Sequence, residues 1–522
     1  MNRTEMLRRV KGREKIWDFI IIGGGATGVG CAVDAASRGY DVLLLEQSDF
    51  GKGTSSRSTK LVRGGVRYLA QGNLRLVKEA LRERGLLLKN AAHLVKIQPF
   101  IVPCYSLWQK IFYGAGLKTY NLLSEKYGFG KSKILSRKET LSMLPNVKTE
   151  NLRGGVLYFD GQFDDARLLI DLVKTAAEQG ATVLSYAPVT ELTRSENKIG
   201  GVKFQDAETG ERFAAKAKVV VNATGAFCDA VRRMSDEKAE RIIAPSQGIH
   251  LVFDKSFLPS ENAVMIPKTS DERVLFAIPW HGKTLVGTTD TPIENVELEP
   301  KAFEKEIKFV LETAGNYLQK QPKPEDILSV FVGVRPLVKH TKPKRTAALS
   351  RDHTIEIDKS NLLTITGGKW TTYRQMAEDV INLGSAKANL PARNCATKNL
   401  KIHGSCEDSD EFGDLAIYGA DAEKVKKIIE ENPDLAEKLH ADLPYCAAEI
   451  VWAIRFEMAQ TVEDVLARRM RILFLDAKAA IEIAPATAEI MAKELGKDKI
   501  WIDVQIESFI ELAKNYLGFQ IL

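Results

Sequence analysis

Basic and hydroxyl side chains that could bind an anion are crowded into one short stretch, SSRSTKLVRGGVRYL, at residues 55–69. The stretch contains four basic side chains and two adjacent glycines: Arg57, Lys60, Arg63, Arg67, Gly64 and Gly65. Arginine binds phosphate oxygens through parallel hydrogen bonds, and glycine-rich backbone can donate N–H groups to an extended anionic ligand. The stretch therefore predicts contact with a long cofactor and with a phosphorylated substrate.

A dinucleotide-binding unit lies immediately before this stretch. Residues 19–22 are apolar and end in glycines, residues 26–37 carry small and apolar residues at helical spacing, and residues 42–45 are apolar and end in Glu46. A short apolar run bounded by glycine is typical of a buried parallel strand. The order of strand, helix and strand predicts the first unit of a Rossmann-like domain.

The glycines of this unit fit the pattern G-x-G-x-x-G at Gly23, Gly25 and Gly28. We predict that Gly23 permits a tight turn, that Gly25 lets the backbone approach a pyrophosphate, and that Gly28 lets the helix pack closely on the strand. The pyrophosphate is expected at the positive end of the helix, and Glu46 is expected to accept hydrogen bonds from a ribose diol. NAD and FAD share both groups, so this unit alone does not distinguish between them.

Two later segments, together with residues 55–69, favour FAD over NAD. Residues 219–221 form a predicted strand that enters a helix through the turn at 223–225, which returns the chain to the nucleotide edge of the sheet. Residues 362–366 form another predicted strand, followed by a Gly-Gly turn and a helix that begins at Lys369. A lysine at a helix N-terminus suits the negative charge that a reduced flavin develops at N1 and O2.

Length and composition set further bounds on the class of protein. A chain of 522 residues is expected to form two or three domains. Hydrophobic residues make up 44% and charged residues 27%, which is typical of a soluble globular protein. The net charge of +6 is too small to indicate nucleic-acid binding, so any basic feature must be local.

The sequence also indicates a reducing, cytoplasmic location. Its six cysteines form no C-x-x-C pair, and reduced structural cysteines are expected. No apolar run reaches the roughly 18 residues of a membrane span. The basic N-terminus lacks the apolar core of a signal peptide. We therefore expect a cytoplasmic protein that can rest on a membrane surface.

Seven motifs, in order along the chain, resemble FAD-dependent glycerol-3-phosphate dehydrogenases of the aerobic, quinone-linked type. The resemblance covers most of the chain up to about residue 385 and continues more loosely through FEMAQTVEDVLARRMRILFLD. The motifs are SSRSTKLVRGGVRYL, FDDARL, NATGAF, VGTTDTP, GVRPL, LSRDHTIEID and TGGKWTTYR. Any one of them would be weak evidence, whereas the ordered set is specific.

The resemblance implies an α/β fold with a discontinuous Rossmann-like FAD-binding domain, an antiparallel-sheet substrate domain and a helical C-terminal domain. The sequence shows this layout independently, because short alternating runs such as RVLFAIPW and KTLVGTTDTP lie between the NATG and TGGK elements. The predicted domains are 16–97, 160–244 and 345–383 for FAD, 98–159 and 245–344 for substrate, and 384–522 for the helices. The helical domain shows no chemistry in its sequence, and we expect a structural or partner-binding role.

The resemblance further implies oxidation of sn-glycerol 3-phosphate to dihydroxyacetone phosphate, with a hydride passing to FAD and electrons then passing to a membrane quinone. This chemistry needs a phosphate clamp, a proton acceptor and stabilisation of the reduced flavin. The phosphate clamp is expected at Arg67, Tyr68, Arg335 and Arg351. His250 is the predicted base, although Arg335 could instead orient the alkoxide, and Lys369 is expected at the flavin N1 end.

The motifs and the resemblance together predict the cofactor contacts. They are Gly23, Gly25, Gly28, Glu46, Thr54, Ser55, Lys60, Gly64, Gly65, Val189, Thr224, Gly225, Gly368, Lys369 and Thr371. Thr288, Thr289 and Asp290 either order the site or form a β-turn. No metal site is predicted.

Two segments mix basic and apolar residues and could lie on an anionic membrane surface: residues 3–17 and residues 105–123. The sequence admits a homodimer but carries no direct sign of oligomeric state. Two other functions stay open. One is a glycerol-3-phosphate oxidase that passes electrons to O2, and the other is a non-enzymatic FAD-binding protein.

Overall fold

The structure, a computed structural model, describes residues 1–65, 73–124, 127–267, 269, 273–339 and 353–518. Three predicted substrate-binding residues, Arg67, Tyr68 and Arg351, lie outside the described ranges. The strands are β1 Trp17–Ile22, β2 Val42–Leu45, β3 Leu61–Val62, β4 Val95–Cys104, β5 Lys133–Leu135, β6 Gly154–Phe163, β7 Thr182–Leu184, β8 Val189–Ser195, β9 Lys198–Gln205, β10 Arg212–Asn222, β11 Ile243–Asp254, β12 Ala263–Ile266, β13 Leu275–Trp280, β14 Lys283–Gly287, β15 Thr291–Pro292, β16 Ser329–Val338, β17 His353–Ile357 and β18 Leu363–Gly367.

The helices surround these strands and also form most of the C-terminal region. The α-helices are α1 Arg3–Val10, α2 Ala26–Ser37, α3 Leu74–Asn90, α4 Leu107–Ser124, α5 Arg137–Met143, α6 Asp165–Glu178, α7 Cys228–Ser235, α8 Glu304–Tyr317, α9 Tyr373–Lys387, α10 Ala422–Glu431, α11 Ala447–Glu457, α12 Ile472–Leu475, α13 Ala477–Leu495 and α14 Lys499–Lys514. A π-helical turn, Asp464–Arg469, precedes α12. Among the helices of the described ranges, none combines the length and the apolar character needed to cross a bilayer.

The first sheet forms the expected Rossmann-like layer. Its strands run in the order β17-β18-β10-β1-β2-β7, and β8 and β9 pair beyond the start of β10. β1 lies parallel between β10 and β2, and Ile20 pairs with Val220 on one side and with Leu43 on the other. The central strands of this sheet are apolar because helices α2, α6 and α9 pack against the sheet and against one another. Strand β2 and helix α2 have the predicted bounds.

The second sheet has ten strands in the order β15-β11-β14-β13-β12-β4-β6-β3, with β16 on β11 and β5 on β6. It extends beyond the predicted segment 98–159, because β4 and β6 pair from Val95 with Phe163 to Cys104 with Gly154. Strand β3, in the stretch 55–69, also joins this sheet by pairing with β6. The stretch therefore begins beside the first sheet and ends in the second.

The predicted start of the helical domain at residue 384 lies inside helix α9. Val380, Ile381 and Gly384 of this helix pack on the core of the first sheet. The helical region that follows does not stand apart from the rest of the molecule. Its apolar residues form one core with the second sheet, where Phe474 packs on Phe331 with ring centroids 4.9 Å apart.

The basic N-terminal segment docks on the first sheet rather than projecting as a free cationic arm. Met6 and Val10 of helix α1 are buried, and Arg3 is buried against Asp206 at 2.5 Å. Four further cations of the segment have acidic partners: Lys11 pairs with Glu211, Arg9 with Glu5, and both Arg13 and Lys15 with Asp41. The contact of this segment with a membrane surface stays a prediction.

Buried ion pairs join the helical region to the FAD-binding layer. Asp49 follows β2 and accepts hydrogen bonds from Arg468 and Arg469 of the π-helical turn, with Arg469 Nη2 at 2.9 Å from Asp49 Oδ1. All three side chains are buried. Burial opposes the charge of Asp49, but the adjacent Arg469 and Arg468 hold the pKa of its carboxyl below the ordinary value.

We expect Asp49→Asn to destabilise the protein, because the substitution removes the buried carboxylate that Arg468 and Arg469 share. Loss of one partner from a buried pair costs about 3–5 kcal/mol. The melting temperature measured by differential scanning fluorimetry should fall by several degrees. Asp410→Asn is the matched control, since Asp410 also pairs with a distant cation, Lys96, but is exposed. Equal melting temperatures for both variants would contradict the prediction.

Candidate active site

Glu46 lies at the carboxyl end of β2, where the dinucleotide turn meets the end of the sheet. Its Oε2 accepts a hydrogen bond from Gly24 N at 2.6 Å, and its Oε1 accepts one from Ser48 N at 2.9 Å. Burial raises the pKa of this carboxyl, although both backbone donors favour its charged form. The two N–H groups fix the carboxylate at the position where a ribose diol is expected.

The three glycines of the turn are required mainly by close packing. A Cβ on Gly28 would collide with the carbonyl oxygen of Gly23, and Gly23 itself has a φ of 111°, which favours glycine. Gly25 caps the N-terminus of α2. Ser55 Oγ accepts a hydrogen bond from Ala26 N at 2.9 Å, so the stretch 55–69 begins directly at the positive end of the helix.

The turn that follows β18 is hydrogen-bonded to the stretch 55–69. Trp370 Nε1 donates to the carbonyl of Ser55 at 2.8 Å, and Thr371 Oγ1 accepts from Arg63 N at 3.3 Å. Lys369 is extended, and a 3-10 turn, Trp370–Thr372, comes before α9. The helix therefore starts later than predicted, because Gly367 and Gly368 both adopt positive φ and Lys369 turns the chain.

The residues along this edge fit an elongated dinucleotide. Several positions at this edge are half-buried, whereas the strands behind them are fully buried. The half-buried positions are Gly25, Glu46, Thr54, Ser55, Thr224, Gly225, Gly368 and Lys369. A Cβ on Gly225 would meet no atom within 4 Å, so backbone there can be approached closely. These positions include a carboxylate for ribose, a helix N-terminus for pyrophosphate and a lysine for the flavin.

His250 lies on β11 in a closely fitted, buried position. The ring stacks on Phe331 with centroids 4.9 Å apart and planes 16° apart. It lies opposite Gly287 of β14, where any Cβ would collide with the ring. His250 Nε2 shares a hydrogen bond of 2.9 Å with Thr59 Oγ1. Burial, followed by the charges of Lys60, Arg335 and Arg63, holds the pKa of His250 well below the ordinary value, so the ring is neutral near pH 7.

Arg335 of β16 lies beside His250 and is partly open to solvent, with 23% of its side chain exposed. Its Nη1 donates to Asp290 Oδ1 at 3.3 Å, and its Nη2 donates to Thr288 Oγ1 at 3.2 Å. A Cβ on Gly248, in the adjacent strand β11, would lie 2.5 Å from Nη2. The guanidinium thus occupies space that only a glycine leaves open, and the contacts support the ordering role predicted for Thr288 and Asp290.

Lys60 and Gly64 differ from their predicted roles. The Lys60 ammonium is buried and bonds Ser56 O and Asp165 Oδ2, each at 2.8 Å, so the side chain is not available to FAD. Gly64 N donates to Asp160 Oδ1 at 3.1 Å instead of facing the cofactor edge. Lys60 thus joins the stretch to α6 and Gly64 joins it to β6, which their residue types alone did not indicate.

Val189, Gly65 and Thr371 stay predictions as cofactor contacts. Val189 begins β8 and is half-buried, just beyond Ala187, whose N–H donates to the carbonyl of Glu46 at 2.8 Å. Gly65 is half-buried with a φ of 83°, and Thr371 is buried. Their positions place all three near the cofactor edge.

Sequence reasoning did not identify Thr59 and Arg63 as site residues. Thr59 contacts His250, and the Arg63 guanidinium lies 4.6 Å from the ring centroid of Phe276. Both lie within the stretch singled out by its cations, but only the pairing of β3 with the second sheet brings them to β11 and β13. The concentration of basic and hydroxyl residues at 55–69 indicated that the stretch is functional, but it did not indicate these individual contacts.

Comparison with known proteins agrees with this architecture. The family model "FAD dependent oxidoreductase" matches residues 18–374, and the model "C-terminal domain of alpha-glycerophosphate oxidase" matches residues 365–500. The mitochondrial glycerol-3-phosphate dehydrogenase of Homo sapiens is 38% identical over 540 residues, which cover 97% of this chain and 74% of that protein. The mitochondrial enzyme of Arabidopsis thaliana is 39% identical over 526 residues, covering 92% and 83% respectively.

Solved structures give the same result. Glycerol-3-phosphate dehydrogenase from Bacillus halodurans, complexed with FAD, superposes with a TM-score of 0.81 at 28% identity, covering 99% of this chain and 98% of that one. L-alpha-glycerophosphate oxidase from Mycoplasma pneumoniae, at 16% identity and a TM-score of 0.58, covers 74% of this chain and 98% of its own, and shares the fold. The class is thus that of FAD-dependent oxidoreductases with a helical C-terminal domain.

The chain belongs to the FAD-dependent glycerol-3-phosphate dehydrogenase family. The predicted family, the predicted fold class and the predicted cofactor, FAD, are confirmed.

We expect Gly248→Ala to impair the enzyme without loss of FAD, because the new methyl group displaces the Arg335 guanidinium. Misplacing one such group by about 1 Å can cost about 100-fold in kcat/KM. A selective rise in KM for sn-glycerol 3-phosphate would indicate phosphate binding by Arg335, and a selective fall in kcat would indicate orientation of the alkoxide. Gly200→Ala is the control, since its Cβ would make only an ordinary contact of 3.5 Å with Ser195. Unchanged kinetics in Gly248→Ala would contradict the prediction.

Proposed function

We propose that the protein oxidises sn-glycerol 3-phosphate to dihydroxyacetone phosphate and that its final electron acceptor is a membrane quinone. The observation that carries the proposal is the placement of a neutral, buried His250 and a partly open Arg335 on paired strands next to residues that fit FAD. Oxidation of a secondary alcohol needs a proton acceptor and a positive charge close to the hydroxyl. Bound FAD supplies the hydride acceptor.

Each site residue has a defined role in this proposal. His250 accepts the hydroxyl proton, which a neutral imidazole can do near pH 7. Arg335, with the predicted contacts Arg67, Tyr68 and Arg351, binds a substrate phosphate that carries about 1.5 to 2 negative charges. Lys369 stabilises the negative charge of the reduced flavin. Asp290 and Thr288 accept hydrogen bonds from Arg335 and so fix the position of its guanidinium group.

Addition of sn-glycerol 3-phosphate to the purified, FAD-loaded protein under anaerobic conditions should bleach its visible flavin absorption. The bleaching follows from transfer of the substrate hydride to the cofactor. Glycerol, which lacks the phosphate, is the control and should leave the spectrum unchanged. Flavin absorption that persists with sn-glycerol 3-phosphate would overturn the substrate assignment, and it would favour a non-enzymatic FAD-binding protein or another substrate.

Helix α4 supports the membrane part of the proposal. Four large apolar residues on its first turns are more than half exposed, and we call them the α4 patch: Leu107 68%, Trp108 70%, Ile111 63% and Phe112 54%. An exposed apolar cluster of this kind marks an interaction surface, and aromatic residues with nearby lysines suit the interface of an anionic bilayer. We infer that the protein is cytoplasmic and binds the inner face of the cell membrane through the α4 patch.

The inner face of the same helix contacts residues 55–69, which we call the flavin stretch. Tyr120 OH donates to Asp160 Oδ2 at 3.3 Å, and Asp160 also accepts from Gly64 N. A Cβ on Gly64 would collide with the Tyr120 hydroxyl. The element proposed to touch the membrane therefore contacts the segment that borders the cofactor edge, which favours a lipid-dissolved acceptor. Rapid oxygen consumption in the absence of quinone would instead favour the oxidase.

Replacement of Trp108 and Ile111 by serine should reduce co-sedimentation of the protein with vesicles containing phosphatidylglycerol. Burying one large apolar side chain contributes about 1.5–3 kcal/mol, so the two substitutions together should weaken binding at least tenfold. Ile500→Ser is the control, because Ile500 is equally exposed, at 73%, but lies on α14. Binding that is lost equally in the control, or retained in the double variant, would contradict the proposed membrane surface.

A further inference from the structure

A buried ionic triad lies beneath the flavin stretch and has no role in the site as described so far. Lys60 Nζ contacts Asp165 Oδ2 at 2.8 Å, and Arg471 Nη2 contacts Asp165 Oδ1 at 3.1 Å. Both cations also donate to the carbonyl of Ser56, each at 2.8 Å. The three side chains are at most 1% exposed. They come from the flavin stretch, from the start of α6 and from the helical region.

The triad is placed next to the proposed base. Thr59, the residue before Lys60, shares the hydrogen bond with His250 Nε2. The ring of Phe331 connects the two side chains, because its centroid lies 4.9 Å from the His250 ring and 4.9 Å from Lys60 Nζ. Lys60 has a φ of 61°, an unusual conformation for a residue other than glycine, which directs consecutive side chains toward different partners.

The environment of Lys60 is that of a group selected for its charge. Trp280, Phe331 and Phe474 enclose the ammonium at 4.9 to 5.6 Å from their ring centroids. Burial lowers the pKa of Lys60 to about 7, against the attraction of Asp165 and with a contribution from Arg471. A packing role alone would be filled by an apolar side chain at less cost.

In the described part of the chain, three cations act on His250, and two of them are paired with carboxylates: Lys60 with Asp165 and Arg335 with Asp290. Lys60 and Arg63 approach from the flavin stretch and Arg335 approaches from β16, whereas β14 presents Gly287. Arg335 and Arg63 are partly exposed, so solvent screens their charges, while Lys60 is fully enclosed. Solvent therefore does not screen the charge of Lys60 at the imidazole, although the Asp165 carboxylate offsets part of it.

We propose that Lys60, anchored by Asp165 and by Arg471, is a positioning residue that keeps His250 in its neutral, proton-accepting form. This inference rests on the proposed function, in which His250 is the base. Nε2 is engaged by Thr59, and Nδ1 has no hydrogen-bond partner within the described part of the chain. With Nε2–H donating to Thr59, Nδ1 holds the lone pair that accepts the proton. The hydroxyl proton would pass to Nδ1 as the substrate carbonyl forms, and FAD, when bound, would supply the acceptor for the substrate hydride.

The test compares the pH dependence of kcat/KM in the FAD-loaded wild type, Lys60→Met and Lys60→Arg, with an artificial electron acceptor. Loss of the cation makes protonation of His250 easier, so the acidic limb should move to higher pH in Lys60→Met. A move of one unit corresponds to about a tenfold loss below the limb. Lys60→Arg keeps the charge and should keep the limb in place. An unmoved limb in Lys60→Met would overturn the proposal.

Lys174→Met is the matched control for a buried lysine. Lys174 Nζ bonds Asp421 Oδ2 at 2.5 Å and lies 4.8 Å from the ring centroid of Trp452. This variant removes a comparable buried pair that makes no contact with the proposed base among the described residues. Its acidic limb should coincide with that of the wild type, and an equal move in the control would count against a specific effect of Lys60.

A second measurement does not depend on activity or on the folding of Lys60→Met. The chain has only seven histidines, so selective 13C labelling of their rings gives few NMR signals, and His250→Asn identifies the one of interest. In the wild type the His250 signal should stay in its neutral position down to pH 6. Titration with an ordinary pKa of about 6.5 would overturn the proposal. If His250→Asn left the rate and its pH profile unchanged, the base assignment of the proposed function would fail instead.

Discussion

The pairing of buried charges across the boundary between the flavin layer and the helical region is the constraint on which the rest of the structure depends. Arg468, Arg469 and Arg471 project from the π-helical turn and the residue before α12, and they meet Asp49 and Asp165 of the first layer. An unpaired ion in such a position is far less stable than a paired one, so neither side can separate without a large penalty. The helical region is for this reason part of the catalytic unit rather than an appended module.

The same constraint fixes the flavin stretch. Arg471 and Lys60 donate to the carbonyl of Ser56. Ser55 Oγ accepts from Ala26 N at the start of α2, and Thr54 Oγ1 donates to the carbonyl of Val334 at 2.6 Å. The stretch is thus tied to the helical region, to the first sheet and to the second sheet within a few residues. A segment held in this way is suited to carry a base partner such as Thr59, because little rearrangement accompanies the reaction.

The local elements could be predicted from the sequence, and the contacts between them could not. The bounds of α2 and β2 followed from an apolar run, a glycine turn and helical spacing, all of which are local signals. Helix α9 extended past residue 384 because its last turns pack on the first sheet, which no local pattern indicates. Resemblance to the family supplied Arg335, and the imidazole of a strand residue suggested His250, whereas Thr59 and the partner of Lys60 depend on pairings between residues more than 100 positions apart.

The sequence likewise located the basic residues but did not indicate which of them would be buried. The cations of residues 3–17 and those of the flavin stretch have similar composition, yet most cations of residues 3–17 are exposed or half-buried, whereas Arg57 and Lys60 of the flavin stretch are buried. The sign and magnitude of their effects follow from burial, which the sequence does not specify. Helix α4 shows the complementary case, because its apolar residues divide between an exposed patch and an inner face that touches Gly64. One helix thereby carries both the α4 patch and the contact with Gly64, on different turns along its length.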